Sequence, residues 1–323
     1  MPITDLAIDD LRRYRPEVPE PADFGQFWTD TIEEARAAGG NVQVSAASTP
    51  FTELEVLDLT FPGFAGEPIR AWITKPLGDE PRPAVLEYIG YNGGRGLAGE
   101  RPHWAAAGFV HILMDTRGQG SEWGSGGDTP DPHGSGPAAT GFLTRGITDP
   151  ISYFYRRVFT DAVRLVDAAK SLPFVDPTRI TVTGGSQGGG ISLAVAGLSE
   201  GLVAVMPDVP FLCNFRRSIE IATTTPFIEV ARYLGVHRDQ EQQVFDTLAY
   251  FDGVNFAKRA TAPALFSVAL MDEIVPPSGV FAAYNWYAGD DRELNVYPFN
   301  NHEGGHSFQW HAQVTWLRAL LAR

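Results

Sequence analysis

The residues best suited to chemistry lie around Ser186, in the sequence Gly184-Gly-Ser186-Gln-Gly188. A β-branched run at 180–183 precedes this motif, and a run of small and apolar residues follows it. A strand, a sharp turn and a helix in that order form a nucleophile elbow, which holds its central residue in a strained backbone conformation. Flanking glycines let the strand and the helix approach each other without Cβ clashes. The motif predicts that Ser186 is a nucleophile, and a glycine-rich turn with an incidental serine is the alternative.

An acid is needed as well, because a serine hydroxyl requires a base to take its proton and a third group to orient that base. Asp272 directly follows an apolar run at 264–270, and Pro276-Pro277 stiffen the loop behind it. Asp208 follows the run at 202–206 in a similar way and is the second candidate. We favour Asp272, because it follows a strong strand signal and stands in a loop that the prolines stiffen.

His302 is the candidate base. It follows the predicted strand at 293–297 and precedes the final helical run at 307–322. With Ser186 and Asp272 it gives the chain order serine, acid, histidine that is found in α/β-hydrolases. His306 and His311 stand close behind it as alternatives.

A competing motif overlaps this histidine. His302-Glu-Gly-Gly-His306 matches H-E-x-x-H, which binds zinc in metalloproteases when both histidines lie on one helix face. Two central glycines oppose that helix by about 1 kcal/mol each relative to alanine. The usual downstream ligand position carries Gln309, and Ala312 follows it. We interpret the match as accidental and expect no metal.

The oxyanion of an acyl-transfer intermediate needs two preorganised N–H donors. One donor is expected from Gln187, the residue after the nucleophile. The second is expected from the loop after the strand at 84–89, where Gly90-Tyr-Asn-Gly-Gly offers Tyr91 or Asn92.

The elements that must position these residues alternate between strand-like and helical patterns. The predicted strands are 84–89, 109–114, 180–183, 202–206, 264–270 and 293–297. Helical patterns lie between most of them, which favours one three-layer α/β domain over 1–323 with a mainly parallel central sheet flanked by helices. Ligands in such folds bind at the carboxyl ends of the strands.

The N-terminal part follows a different pattern. A helix is predicted from about 24 to 38 with Asp23 as its N-cap. Residues 42–61 are predicted as one strand, in which the alternation slips between Val56 and Leu57, as at a β-bulge. This strand is predicted to form a hairpin with 68–75.

Three segments lie outside the regular alternation. Residues 1–40 are predicted as a helical arm. The segment 116–150 is rich in Gly, Pro, Ser and Asp, and a loop of that length is usually functional or an interface element. Residues 211–258 are predicted as a helical insertion with breaks at Pro226 and Gly235.

The composition is that of a soluble globular protein, with 44% hydrophobic and 20% charged residues over 323 positions. The formal charge is −14 and no basic run stands out, so we expect no nucleic-acid partner. No apolar run approaches a bilayer span and no signal-peptide pattern opens the chain, so we expect no membrane association. Cys213 is the single cysteine, which fits a cytoplasmic protein, and we interpret it as a small apolar filler.

With these residues identified, the chain resembles the acetyl xylan esterase / cephalosporin C deacetylase family of carbohydrate esterases (family 7), which has the α/β-hydrolase fold. The resemblance covers nearly the whole chain. It is carried by Asp23-Phe-x-x-Phe-Trp28, Gly90-Tyr-Asn-Gly-Gly94, Asp115-Thr-Arg-Gly-Gln-Gly120, Gly184-Gly-Ser-Gln-Gly-Gly189, Asp272-x-x-x-Pro-Pro277 and His302-Glu-Gly-Gly305. Arg117-Gly-Gln119 together with the serine and histidine motifs makes it specific.

The resemblance implies a serine esterase without a cofactor. Ser186, Asp272 and His302 are implied as the catalytic triad. The backbone amides of Tyr91 and Gln187 are implied as the oxyanion hole. The implied substrates are small acetylated sugars and the acetyl ester of a cephalosporin antibiotic.

The resemblance also implies a cytoplasmic homohexamer, with an interface built partly by an extension like 116–150. Arg117 and Gln119 are implied to brace loops near the site. His306 departs from the small residue that the family pattern predicts there, and it either narrows the pocket or competes as a base. The same fold also accommodates peptidases, longer-chain esterases and catalytically silent ligand-binding scaffolds, which remain alternatives.

Overall fold

A computed structural model describes residues 5–134 and 136–323. Within these residues nine strands form one sheet: β1 (Gln43–Ala46), β2 (Leu54–Pro62), β3 (Pro68–Pro76), β4 (Arg82–Tyr88), β5 (Val110–Met114), β6 (Val175–Gly185), β7 (Leu202–Asp208), β8 (Ala264–Ala269) and β9 (Arg292–Tyr297). Their spatial order is β1-β2-β3-β5-β4-β6-β7-β8-β9. The first three strands pair antiparallel, and every pair from β5 to β9 along this order is parallel.

The same residues contain eleven α-helices: α1 (Ile8–Leu11), α2 (Phe24–Ala38), α3 (His103–Ala106), α4 (Phe154–Lys170), α5 (Gln187–Leu198), α6 (Phe215–Ile221), α7 (Phe227–Val236), α8 (Glu241–Ala249), α9 (Gly253–Ala257), α10 (Pro277–Trp286) and α11 (His306–Leu321). None of these helices combines the length and the apolar character that crossing a lipid bilayer requires.

The core lies on both faces of the sheet, because successive side chains of a strand point to opposite faces. In β4, Leu86 and Tyr88 join the cluster under α4, α5 and α10, whereas Val85 joins the cluster under α3 and α11. Strands buried on both faces are expected to be continuously apolar, as the predicted central strands are. The three-layer arrangement with a mainly parallel sheet confirms the predicted fold class.

The N-terminal sheet differs from the prediction. Residues 42–61 form two strands, β1 and β2, that pair with each other as a hairpin. The predicted bulge is wrong, since β2 keeps an unbroken register with β3 across Val56 and Leu57. Both side chains are buried because both faces of β2 are covered at this point, and this double burial produces the apparent slip.

Two further details of the helices differ from expectation. Gly235 lies inside α7 and does not break it, whereas Pro226 does precede the helix. Asp23 stands at the N-cap position of α2 without a capping bond, and its carboxylate instead accepts a hydrogen bond from the Tyr250 hydroxyl at 2.6 Å.

The N-terminal arm and the segment 116–150 are both anchored to the rest of the domain. Trp28 of α2 is buried against Phe251 and Phe256. The described residues of 116–150 contain no helix or strand, but the Asp115 carboxylate accepts the main-chain N–H groups of Asp128 and Thr129 at 2.8 Å. These anchors fix the long loop beside the carboxyl ends of the central strands.

Candidate active site

Ser186 occupies the turn between β6 and α5 with φ 57° and ψ −117°. A non-glycine residue with positive φ is strained, and such strain persists only where the surroundings enforce it. Here the Ser186 N–H donates to the Asp208 carbonyl at 2.9 Å, and its carbonyl accepts the N–H of Phe211 at 2.9 Å. The neighbouring strand β7 and the chain after it therefore hold the elbow from both sides.

The glycines of the motif are required by close packing. A Cβ added to Gly188 would overlap the carbonyl oxygen of Tyr88 on β4. A Cβ on Gly184 would lie 2.6 Å from that same oxygen. Gly185, in contrast, has open space at its Cβ position. The strand–helix contact predicted from the sequence is therefore present and depends on two of the three glycines.

His302 and Asp272 are brought together across 30 residues of chain. Nδ1 of His302 lies 2.8 Å from Oδ2 of Asp272. The other oxygen, Oδ1, accepts the N–H groups of Ile274 and Val275, both at 2.9 Å. A carboxylate held this way accepts a hydrogen bond from a protonated Nδ1. The lone pair of the neutral imidazole is then on Nε2.

Asp208, the second candidate acid, is engaged elsewhere. Its two carboxyl oxygens accept the side-chain amides of Gln309 at 2.9 Å and Gln313 at 2.8 Å, both from α11. Burial raises the pKa of Asp208 to about 7, against the opposing effect of these hydrogen bonds. Asp208 therefore supports the wall of the site, while the imidazole of His302 pairs with Asp272.

The zinc-protease motif does not have its required geometry. His302 lies in a turn, and α11 begins only at His306. Gly304 and Gly305 between them have φ values of 56° and 85°, which a helix does not accommodate. The two histidines thus do not share one helix face, and Nδ1 of His302 is already bound to Asp272.

The loop after β4 carries the predicted second oxyanion donor. The N–H of Asn92 is occupied, because it donates to the side-chain oxygen of Gln119 at 2.8 Å. Within residues 5–134 and 136–323, the main-chain N–H groups of Tyr91 and Gln187 donate to no protein acceptor. Of the two residues that the sequence left open, the structure thus leaves the amide of Tyr91 free for a ligand.

Gln119 connects the two segments that carry the proposed donors. Its Oε1 accepts from Asn92, and its Nε2 donates to Oε1 of Gln187 at 2.9 Å. The Tyr155 hydroxyl donates to the same Gln187 oxygen at 2.9 Å. These buried amides lock the loop after β4 against the start of α5. The bracing role implied for Gln119 thus has a direct structural basis.

Arg117 is fully buried and braces a different part of the molecule. Its Nε and Nη2 bind the Asp161 carboxylate of α4 at 2.6 and 2.8 Å, and Nη1 binds Glu67 at 2.6 Å. The long loop is thereby fixed to a helix and to the turn between β2 and β3. Arg117 lies behind the site and does not line it.

Glu229 is a residue that the sequence reasoning missed. Its carboxylate accepts the Tyr91 hydroxyl at 2.8 and 2.9 Å, and the same hydroxyl accepts the N–H of Leu143 at 3.1 Å. Burial raises the pKa of Glu229 to about 7. The contact joins α7 to the loop after β4 across 138 residues, so no local pattern signals it.

A cavity of about 610 Å³ opens at the carboxyl ends of the parallel strands. This volume is typical of small-molecule sites. Ser186 and His302 both line it, together with Glu87, Tyr91, Arg101, Glu122, Trp123, Asp208, Pro226, Ile274, Glu303, His306 and Gln309. The nucleophile candidate and the base candidate therefore face one cavity, at the position where ligands bind in α/β folds.

Comparison with known proteins agrees with this geometry. The family model of acetyl xylan esterases (AXE1) matches residues 1–320. The chain belongs to the acetyl xylan esterase family. It is therefore a carboxylic ester hydrolase, and the resemblance drawn from the sequence motifs is confirmed.

Solved structures and curated proteins show the same likeness. An acetyl xylan esterase from Paenibacillus sp. R4 is 37% identical with a TM-score of 0.91, over 97% of this chain and 99% of its own. Acetyl xylan esterase 1 from Thermoanaerobacterium sp. JW/SL YS485 is 31% identical with a TM-score of 0.89, over 98% and 99%. The acetyl esterase Axe7A of Xylanibacter ruminicola is 26% identical over 94% of this chain and 68% of its own length.

Proposed function

We propose that this protein removes acetyl groups from small acetylated carbohydrates such as xylo-oligosaccharides, and from cephalosporin C-like esters, through an acetyl-enzyme on Ser186. The observation that carries the proposal is the His302–Asp272 pair at 2.8 Å, whose histidine lines the same cavity as an elbow serine with φ 57°. Both features belong to a chain of the acetyl xylan esterase family.

In this mechanism Nε2 of His302 takes the proton of the Ser186 hydroxyl as Oγ attacks the acetyl carbonyl. Asp272 orients the imidazole and stabilises its charged form. The main-chain N–H groups of Tyr91 and Gln187 hold the tetrahedral oxyanion. His302 then gives the proton to the leaving sugar alcohol. A water molecule, activated by the same histidine, hydrolyses the acetyl-enzyme and releases acetate.

Acetate release from an acetylated xylo-oligosaccharide tests the proposal. The wild type and Ser186→Ala are compared with a chelator present, which separates serine from metal chemistry. We expect release by the wild type alone. Acetate release by Ser186→Ala at a rate comparable to that of the wild type would contradict the proposal.

We further propose a cytoplasmic homohexamer. The family resemblance and a chain with a single cysteine support this assignment. Two apolar side chains close in sequence to His302 and His306, Phe299 and Phe308, are 82% and 83% exposed, and association would cover such groups. Light scattering on the purified protein measures the mass, and a monomer at working concentration would contradict this proposal.

A further inference from the structure

The cavity has two chemically different walls. The wall of Trp123, Pro226 and Ile274 is mainly apolar. A second set of lining residues, here called the polar wall, consists of Glu87, Arg101, Asp208, His306 and Gln309. An acetyl group fills only a small part of about 610 Å³, so most of the cavity is available to the alcohol portion of the ester.

The chemistry of the leaving group places the alcohol beside the polar wall. In the proposed mechanism His302 returns a proton to the alcohol oxygen, which must therefore lie within hydrogen-bond reach of the imidazole. His302 lies in the turn that leads into α11, and α11 supplies His306 and Gln309. Asp208 is held by that same helix. The alcohol thus leaves on the α11 side of Ser186.

Glu87 is a buried and hydrogen-bonded member of the polar wall. The side chain is buried at the end of β4, on the sheet face that α3 and α11 cover. Nε2 of His111 lies 2.8 Å from one of its oxygens, and Nη1 of Arg101 binds the other. Burial opposes ionisation of Glu87, but the hydrogen bond from His111 and the charge of Arg101 lower its pKa to about 2. Glu87 is therefore a fixed, charged acceptor.

Arg101 supplies the complementary donors. A guanidinium has five N–H donors in a planar fork. Within the part of the chain that the structure describes, Nη1 is occupied by Glu87, and Nε and Nη2 have no protein acceptor. His306 belongs to the same wall and is exposed, with Nδ1 3.1 Å from the Ser307 hydroxyl. The polar wall thus presents a fixed acceptor beside free donors.

We propose that Glu87, Arg101 and His306 form the subsite that binds the hydroxyl groups of the sugar from which the acetyl group is removed. This inference rests on the proposed function and specifies an uncharged polyol as the preferred alcohol. A sugar hydroxyl both donates and accepts, so it matches Glu87 and Arg101 together. An anionic alcohol is expected to bind less well, because Glu87, Glu122 and Glu303 also line the cavity. Cephalosporin C-like esters are therefore expected to be poorer substrates than acetylated sugars.

The test compares two esters that differ in the alcohol, acetylated xylobiose and 4-nitrophenyl acetate. In Arg101→Met we expect kcat/KM for acetylated xylobiose to fall about tenfold more than for 4-nitrophenyl acetate, because hydrogen bonds from a charged donor are lost only with the sugar. The fall in kcat/KM for acetylated xylobiose is expected to come mainly from a higher KM. Free xylobiose is expected to inhibit 4-nitrophenyl acetate hydrolysis more weakly in the variant than in the wild type.

A second variant and a control make the outcome decisive. His306→Gly is compatible with the backbone, because residue 306 has φ 45°, and it is expected to shift the same ratio in the same direction. Arg13→Met is the matched control, since Arg13 pairs with Asp10 at 3.0 Å on the surface. An unchanged ratio in both test variants, with folding checked by circular dichroism, would overturn the inference. The proposed function would instead be overturned if the wild type showed no hydrolysis of 4-nitrophenyl acetate that depends on Ser186.

Discussion

At the scale of single residues, the account depends on the proton between His302 and Asp272. Replacing Asp272 with Asn keeps the size of the side chain but offers an N–H where the imidazole needs an acceptor. The imidazole of His302 is then held in the wrong tautomer, with its proton on Nε2. Comparable changes in serine hydrolases lower kcat by about ten-thousandfold. We expect a loss of that order for Asp272→Asn in steady-state assays with 4-nitrophenyl acetate.

The control for this prediction is Asp290→Asn, at an exposed turn, which we expect to retain wild-type kcat. Wild-type kcat in Asp272→Asn, together with a large loss in Asp208→Asn, would contradict the assignment and return Asp208 to the role of orienting acid.

Asp208 also allows a prediction on stability. Its pKa is raised from 3.8 to about 7 in the folded protein, so the folded state holds a proton that the unfolded state loses at lower pH. The wild type therefore loses stability between about pH 4 and about pH 7, by up to about 4 kcal/mol, and no further above that range. Asp208→Asn lacks this loss. The melting temperature of the variant minus that of the wild type is expected to rise across this window.

A flat difference between the melting temperatures of Asp208→Asn and the wild type over that pH window would show that Asp208 ionises freely in the folded protein. Asp290→Asn, on the surface, serves again as the control and is expected to give no pH-dependent difference.

How far the sequence predicts single residues depends on the range of their contacts. Ser186, Asp272 and His302 stand in local motifs of recognisable order, so their types and positions were accessible. The choice between Asp272 and Asp208 rested on a strong strand signal and on two prolines in the following loop, whereas the structure separates them by their partners, His302 for one and Gln309 for the other. Glu229 was missed because its contact with Tyr91 has no local signature.

At the scale of elements, the elbow requires contact between β4 and α5 at Gly188. In Gly188→Ala the new Cβ would overlap the Tyr88 carbonyl, which is backbone and cannot turn aside. We expect a loss of about 3 kcal/mol or more in the free energy of unfolding, measured by urea titration. Gly185→Ala, in the same motif, meets open space and is the matched control for stability. Equal stability of the two variants would contradict this account of the motif.

The sequence predicted the central elements better than the N-terminal ones for a physical reason. Parallel strands such as β4 and β8 are buried on both faces, so their apolar runs mark them directly. In β2 adjacent residues are also buried on opposite faces, which mimics the slip of a bulge. Interpreting β2 correctly requires knowing which helices cover the sheet there, and that information is not local.

At the scale of the whole molecule, Arg117 connects parts that are distant in sequence. Removing its charge in Arg117→Met leaves the buried Asp161 carboxylate and Glu67 without their main partner. Breaking a buried ion pair from one side costs about 3–5 kcal/mol. We expect a loss of that size in the free energy of unfolding. Arg36→Met, which breaks an exposed pair with Asp167, is the control and is expected to cost less than about 1 kcal/mol.

A small loss for Arg117→Met, similar to that of Arg36→Met, would show that the long loop is held by other contacts. The bracing role of Arg117 would then be wrong, while the assignment of Ser186 would be unaffected, because Arg117 does not line the cavity.

The most direct test of the central claim is covalent labelling with a fluorophosphonate, followed by peptide mass mapping. A fluorophosphonate reacts with a serine that an adjacent base activates. We expect one label per chain, on Ser186, with complete loss of esterase activity, and no label in Ser186→Ala. Much slower labelling is expected in His302→Ala. Labelling at another residue, or full esterase activity after Ser186 is labelled, would contradict the claim that Ser186 is the nucleophile.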